Sequence, residues 1–295
     1  MERDACLLVN PSAGGGKAAR VLPGVEAELR RLGVTFRTER TRSLPHASEL
    51  ANAAAERGEA VVTLSGDGLI GHVVGVLRDL PDAVLGVLPG GLGNDFARVL
   101  GIPLEAVEAC SVVADGEIRE LDIGDVDGRS FIGIASLGFD SDANRIANEA
   151  PARLGSLVYA YGAIRALIAW RPATFTVEPD VGPSTTFSGW SVAAANSKAY
   201  GGGMFVAPDA ELDDGQLDVV MSSESTKLKF LRVLPKVFKG EHVHEDNCTI
   251  LRAHSVRVSA DRPFSVYADG DPIGDLPVTI SAVPRALKVL CPRPS

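Results

Sequence analysis

The sequence predicts an α/β N-terminal domain with a parallel, Rossmann-like sheet, followed by a mostly β, sandwich-like C-terminal domain. Three observations carry this. Over the first 125 or so of the 295 residues, apolar runs of strand length alternate with stretches of helical periodicity, the pattern of βαβ units with helices on both faces. Beyond residue 126, strand patterns follow one another with only two helical stretches between them. Glycine-rich turns close three of the first-half strands. The domains are therefore placed at 1–125 and 126–295, with the last strand free to return to the first domain.

The elements follow in order. ACLLVN (5–10) has the continuous apolar run of a buried strand. After the glycines at 14–16, Val21, Leu22, Val25, Leu29 and Leu32 fall on one helical stripe. VTFRTE (34–39), AVVTLS (60–65) and AVLGVLP (83–89) read as further strands, separated by the helix-like HASELANAAAERG (46–58) and LIGHVVGVLRDL (69–80). Asn94 and Asp95 stand where caps belong, ahead of FARVLG. In the second half, strands are expected at 129–136, 174–179, 186–196, 216–222, 247–253, 254–260, 264–270 and 277–283, and helices at about 154–170 and 226–239. His242 and His244, two apart, would face one side of a strand; with no third ligand in view they predict no metal site.

Composition excludes several functions. Thirty-eight acids against 29 bases give a net charge of −9, the wrong sign for a nonspecific nucleic-acid binder. No run approaches the roughly 20 apolar residues of a membrane span, and MERDACLLVNPSAGGGK lacks the basic start and long apolar core of a secretory leader. Cys6, Cys110, Cys248 and Cys291 are scattered, with no C-x-x-C pair, so buried reduced thiols are expected.

The turns NPSAGGGKAAR (10–20), SGDGLIG (65–71) and PGGLGNDFAR (89–98) all follow strands. Backbone amides at such turns and at helix N-termini form concavities suited to phosphate, and three at the same end of successive strands predict a nucleotide site. It is not a Walker A loop, because no glycine stands five positions before Gly16 and Ala18 replaces the required Ser or Thr. Gly66–Gly71 matches G-x-G-x-x-G, yet Leu88–Gly91 offers no acid for a ribose, which argues against a dinucleotide oxidoreductase. Asp67 inside the loop would repel a bare pyrophosphate; it makes sense as a group that handles a metal ion or accepts a proton.

Taken in order, VNPSAGGGK, SGDGL, LPGGLGNDFAR, GGGMFVAPDAELDDGQLDV (201–219) and YADGD (267–271) resemble the diacylglycerol kinase and sphingosine kinase superfamily of lipid kinases, over nearly the whole chain. SGDGL with its apolar helix is nearer the sphingosine branch, PGG-x-GNDFAR nearer the bacterial diacylglycerol branch. The resemblance implies transfer of the ATP γ-phosphate to the hydroxyl of a lipid alcohol, diacylglycerol first and a sphingoid or long-chain base second. It implies ATP held by Asn10, Pro11, Ser12, Ala13 and Gly14, by Thr41, by Ser65, Gly66, Asp67, Gly68, Leu69, Ile70 and Gly71, and by Gly91, Leu92, Gly93 and Asn94. Asp67 and Asp271 match acids assigned to proton transfer, Asp142 is the nearest match to a head-group contact, and Glu211, Asp214 and Gln216 match a structural Mg²⁺ turn.

Three positions depart from the pattern: Leu69 and Leu92 replace the usual Thr, and Asp271 replaces a Glu and is one methylene shorter. They keep open a catalytically silent lipid-binding protein of the same fold; the other alternative is an NAD kinase, a distant relative sharing the GDG loop, although the Asn-Glu pair expected of it is absent. The expected partner is a lipid drawn from a membrane by transient surface contact, without nucleic acid. The apolar stretch 154–170 serves either as a core helix or as a lip of the acyl pocket. A cytoplasmic protein peripheral at the inner membrane face is expected, and a homodimer is compatible with it.

Overall fold

The computed structural model of the protein describes residues 4–150 and 158–293. Two compact units emerge: Met1–Ile123 with Tyr200–Gly203 and Val283–Ser295, and Gly124–Ala199 with Met204–Ala282. Residues 154–157 of the expected helix lie outside the described residues.

In the first unit, β1 (Asp4–Val9), β2 (Thr35–Arg40), β3 (Ala60–Ser65) and β4 (Val84–Pro89) lie parallel in the order β2-β1-β3-β4. The end of β15 (Val278–Cys291) joins beside β4, with Lys288 opposite Val84. β3 is buried along its whole length and β1 from Ala5 on, which is why both read as continuous apolar runs. The helices are α1 (Ala13–Arg31), α2 (Leu44–Glu56), α3 (Asp67–Leu77), α4 (Asp95–Val99) and α5 (Ala106–Asp115). Leu22, Val25 and Leu29 of the expected stripe are buried in α1. The Ser43 side chain caps α2, accepting the His46 N–H at 3.2 Å. Because β1 leads to β2 on one side while β3 lies on the other, the chain reverses between β1 and β3. Open α/β sheets bind ligands beyond the strand ends at such a switch point.

The second unit is antiparallel. Its strands are the end of β5 (Glu117–Val126), β6 (Arg129–Phe131), β7 (Ile134–Gly138), β8 (Ala173–Pro179), β9 (Thr185–Ala195), β10 (Leu217–Ser223), β11 (Cys248–Ala253), β12 (Ser255–Ala260), β13 (Ser265–Ala268), β14 (Asp271–Asp275) and the start of β15. β9 changes partner along its length, pairing β8 through Thr185–Gly189 and β7 through Ser191–Ala195, as strands at sandwich corners do. With α6 (Phe139–Asn148), α7 (Val158–Ala169) and α8 (Lys227–Val237) it encloses an aromatic core. There Trp170 and Trp190 stack at 5.9 Å and Phe139 meets both edge-on.

Two expectations are corrected. The strand expected over 129–136 is broken between Phe131 and Ile134, because the Asp269 carboxylate takes the Ile132, Gly133 and Ile134 amides at 2.8, 2.9 and 3.3 Å. His242 and His244 lie in a 3₁₀ turn (Glu241–His244), not a strand: Gly240 turns the chain with φ 71°, and His242 is buried with Nε2 3.1 Å from the Val206 carbonyl. α5 is a helix the sequence did not predict. The four cysteines are free, and burial pushes the thiols up, Cys6 to about 11 and Cys110 to about 12. Among the described residues no helix is long and apolar enough to cross a membrane.

Candidate active site

The three glycine turns meet at the carboxyl ends of β1, β3 and β4. Gly14, Gly15 and Gly16 hold φ of 58°, 62° and 85°, the left-handed region that costs glycine least, and a Cβ on Gly14 would stand 2.6 Å from the Gly90 carbonyl oxygen. The second and third turns press together as closely: a Cβ on Gly91 would fall 2.5 Å from the Gly66 Cα. Only backbone fits at these contacts, so the turns form one cradle.

Polar side chains close each turn. Asn10 Oδ1 accepts from the Ser12 N–H at 3.2 Å and the Ser12 hydroxyl at 2.8 Å, setting the loop that continues through Pro11 and Ala13. Asn94, at φ 52°, accepts the Gly91 N–H at 2.8 Å and donates from Nδ2 to the Gly91 carbonyl at 3.1 Å. Thr41 is buried and ties the end of β2 to β1 through its N–H and hydroxyl, 2.8 and 3.2 Å from the Val9 carbonyl.

Gly66 is the N-cap of α3, so the first amides of that helix, at Asp67, Gly68 and Leu69, lack intrahelical acceptors. Leu69 and Ile70 are buried toward the core, with Gly71 following, so this helix start offers backbone rather than side chains. Leu92, ahead of Gly93, is 84% exposed. The Ser65 hydroxyl at the end of β3 is fully buried and finds no partner among the described residues. A cradle with no room for a Cβ at Gly14 or Gly91, and at its edge a buried hydroxyl unpartnered among the described residues, is shaped to admit a phosphate chain.

Asp67 holds this arrangement together. Its two carboxylate oxygens accept the Asp95 and Phe96 N–H groups, each at 3.1 Å, so an acid in the first turn of α3 caps α4. Asp95 extends the chain of contacts, accepting the Gly202 N–H at 2.7 Å and bringing Tyr200–Gly203 into the first unit. Burial raises the Asp95 carboxyl above the usual carboxylate range; the Gly202 amide opposes this and the Asp67 charge adds to it. Its other oxygen is buried without a partner among the described residues. The sequence read Asp95 only as a cap, and its available signal was the glycine triplet at 201–203.

The remaining predicted residues belong to the second unit. Asp271 heads β14, exposed, after a tight Asp269-Gly270 turn with φ 52° and 94°, and its carboxylate has no partner among the described residues. Asp142 lies on α6, 3.6 Å from Arg145, on the wall of a cavity of about 200 Å³ shared with Phe264, Tyr267 and Asp275. That volume is below the ordinary 300–1,000 Å³ range of ligand pockets. Of the Mg²⁺ set, Asp214 accepts the Gln216 N–H at 2.9 Å and faces Arg252 at 3.4 Å, while Glu211 lines a cleft with Arg252 and Asp218. Oxygen donors are the right class for Mg²⁺. With the Asp214 carboxylate so engaged, however, the three side chains form no cation cage, and among the described residues no cluster of His, Cys, Asp and Glu is arranged to hold a metal.

Residues 4–126 match the diacylglycerol kinase catalytic domain, and residues 133–291 the YegS C-terminal NAD kinase beta sandwich-like domain. Two crystal structures from Bacillus anthracis str. Sterne share the fold, with TM-scores of 0.81 and 0.75 at 21% and 19% identity. Each covers 98% of this chain and 97% of its own, and the second is of a diacylglycerol kinase. Cradle, catalytic domain and sandwich together define a kinase, whose class implies ATP as the phosphate donor. The diacylglycerol kinase of Mycobacterium tuberculosis (strain ATCC 25618 / H37Rv) is 35% identical, over 97% of this chain and 94% of its own. That of Bacillus subtilis (strain 168) is 31% identical over 98% and 96%. The chain belongs to the diacylglycerol kinase family.

Proposed function

We propose that this kinase transfers the γ-phosphate of ATP to the hydroxyl of a lipid alcohol, with diacylglycerol as the first acceptor, giving phosphatidic acid, and a sphingoid or related long-chain base as the second. The observation that carries this is the cradle of three glycine turns around the unpartnered Ser65 hydroxyl, with Asp67 and Asp95 beside it. Amides of the turns and of the α3 N-terminus bind phosphate oxygens, and Lys17 and Arg20 add positive charge from α1. A divalent cation such as Mg²⁺, brought with the nucleotide, would supply charge neutralisation beside these groups.

In the reaction, the acceptor oxygen bonds to the γ-phosphorus as the bond to the bridging oxygen breaks, ADP leaves, and a carboxylate takes the hydroxyl proton. Asp67, as in the sphingosine branch, or Asp271, as in the bacterial branch, is the candidate carboxylate for that step, and Asp142 with its small cavity is the candidate for the head group. The acceptor is drawn from the cytoplasmic face of a membrane by transient contact. The test is transfer of labelled γ-phosphate from Mg-ATP to mixed micelles holding diacylglycerol, monoacylglycerol, ceramide or sphingosine, beside a detergent blank. One labelled lipid names the acceptor. No label in any lane, with ATP binding confirmed, leaves the silent lipid-binding alternative.

A further inference from the structure

α8 turns an apolar side to solvent. Its inner residues are half-buried, and Phe230 stacks on Trp190 at 4.1 Å. On the outer side Leu228 is 58% exposed, Leu231 47% and Leu234 36%, with Phe238, one residue past the helix, at 52%. A 3.6-residue period sets these four on one stripe. Cations border the stripe: residues 225–240 contain Lys227, Lys229, Arg232, Lys236 and Lys239 and no acid, between Glu224 and Glu241, in a chain of net charge −9. Lys229 pairs with Asp246 and Lys236 with Glu245, while Arg232 and Lys239 pair with no acid among the described residues. Lys227 Nζ donates to the Ile168 carbonyl at 2.9 Å, joining α8 to the end of α7, where Ile164 and Ile168 are also exposed beside Arg165.

We propose that the outward faces of α8 and the end of α7 dock on an anionic phospholipid bilayer. Leu231 and Phe238 enter the headgroup boundary, while Arg232 and Lys239 meet lipid phosphates. Charge selects this occupant. The face joins exposed leucines to unpaired cations, the composition of interfacial helices, whereas a second copy would bring another net-acidic chain. The inference rests on the lipid-acceptor reading for its purpose, but its measurement needs no catalysis.

The test is co-sedimentation of the full chain with phosphatidylcholine vesicles, with and without one third phosphatidylglycerol. Binding is expected only to the anionic vesicles and weakens as salt rises. Leu231→Ser/Phe238→Ser is expected to lose about tenfold or more in binding, and Arg232→Gln/Lys239→Gln about tenfold or more, at roughly fivefold per cation near an anionic surface. Both pairs keep the parent's melting temperature and its transfer to a short-chain, water-dispersed diacylglycerol. Equal binding to both vesicle types, or variants that bind like the parent, overturns the proposal. So does a lipid-free dimer that Leu231→Ser/Phe238→Ser dissolves, since the face would then be a subunit interface. Vesicle binding that depends on these residues in a protein that phosphorylates no lipid would keep the docking surface and remove the lipid-acceptor reading instead.

Discussion

Asp67→Asn and Asp67→Ala together separate the two tasks this carboxylate carries. In the parent each oxygen accepts one amide of the first turn of α4 at 3.1 Å. A hydrogen bond to a charged group contributes about 1.5–3 kcal/mol, and at this half-buried position solvent screening favours the lower figure. Alanine removes both bonds and is expected to cost about 2–4 kcal/mol, whereas asparagine keeps one acceptor and costs about 1–2 kcal/mol. At roughly 2–4 °C per kcal/mol for a chain of this size, the Asn variant melts only a few degrees below the parent. A group that takes the acceptor's proton is worth about 10²–10⁴ in rate, so kcat falls at least about a hundredfold in both variants. ATP affinity, read by calorimetry, stays within about threefold in the Asn variant, since backbone rather than Asp67 holds the phosphates. If Asp67→Asn is folded and turns over within tenfold of the parent while Asp67→Ala is dead, the residue is a scaffold and the proton goes elsewhere.

Gly91→Ala places a Cβ 2.5 Å from the Gly66 Cα and must push the second and third turns of the cradle apart; ATP affinity is expected to fall about tenfold or more, at an overpacking cost of about 1–3 kcal/mol. Trp170 and Trp190, the chain's two tryptophans, both lie in the second unit, so unchanged Trp emission would confirm that the damage is local. Burial raises the Asp140 carboxyl from 3.8 to about 6, against the opposing Ser191 hydrogen bond. Between those values the folded chain binds the extra proton, so stability falls as pH rises from about 4 to about 6. Asp140→Asn should therefore match the parent near pH 4 and exceed it in stability above pH 6, and denaturant melts at both pH values check this. Asp271→Glu restores the missing methylene and is expected to keep or raise turnover, whereas Asp271→Asn lowers it about a hundredfold; an unchanged Asn variant would remove Asp271 from the reaction.

What the sequence made legible was local. AVVTLS (60–65) and the Leu22–Val25–Leu29 stripe announce themselves because burial on two faces, or on one stripe, imposes a period. The three turns were legible because glycine is needed wherever backbones approach this closely. The break at Gly133 was not, because its cause is the Asp269 carboxylate 136 residues away. Asp95 was under-read for the same reason: its partner amide, Gly202, lies 107 residues on. α5 went unseen although Ala106, Ala109, Cys110 and Val113 recur at helical spacing, because the helix is short and its buried face is built largely of small side chains that mark no strong apolar stripe. The His242–His244 alternation imitated a strand until Gly240 turned the chain.

The structure also answers why an acid can stand inside a phosphate-binding loop. On sequence alone Asp67 should repel the phosphates its neighbours attract. Both its oxygens, however, point at the first amides of α4, where unpaired N–H groups carry partial positive charge. Asp95 receives the Gly202 amide on one oxygen, which offsets only part of the cost of its burial, so the two carboxylates meet donors supplied by two separate backbone segments. Their charge is thereby directed into the protein, while the amides at the start of α3 remain for phosphate. The same geometry keeps Asp67 ordered without a positive side chain, which would compete for the nucleotide. A lysine or arginine in that role would hold the acid but spend its charge there; here backbone amides do the holding.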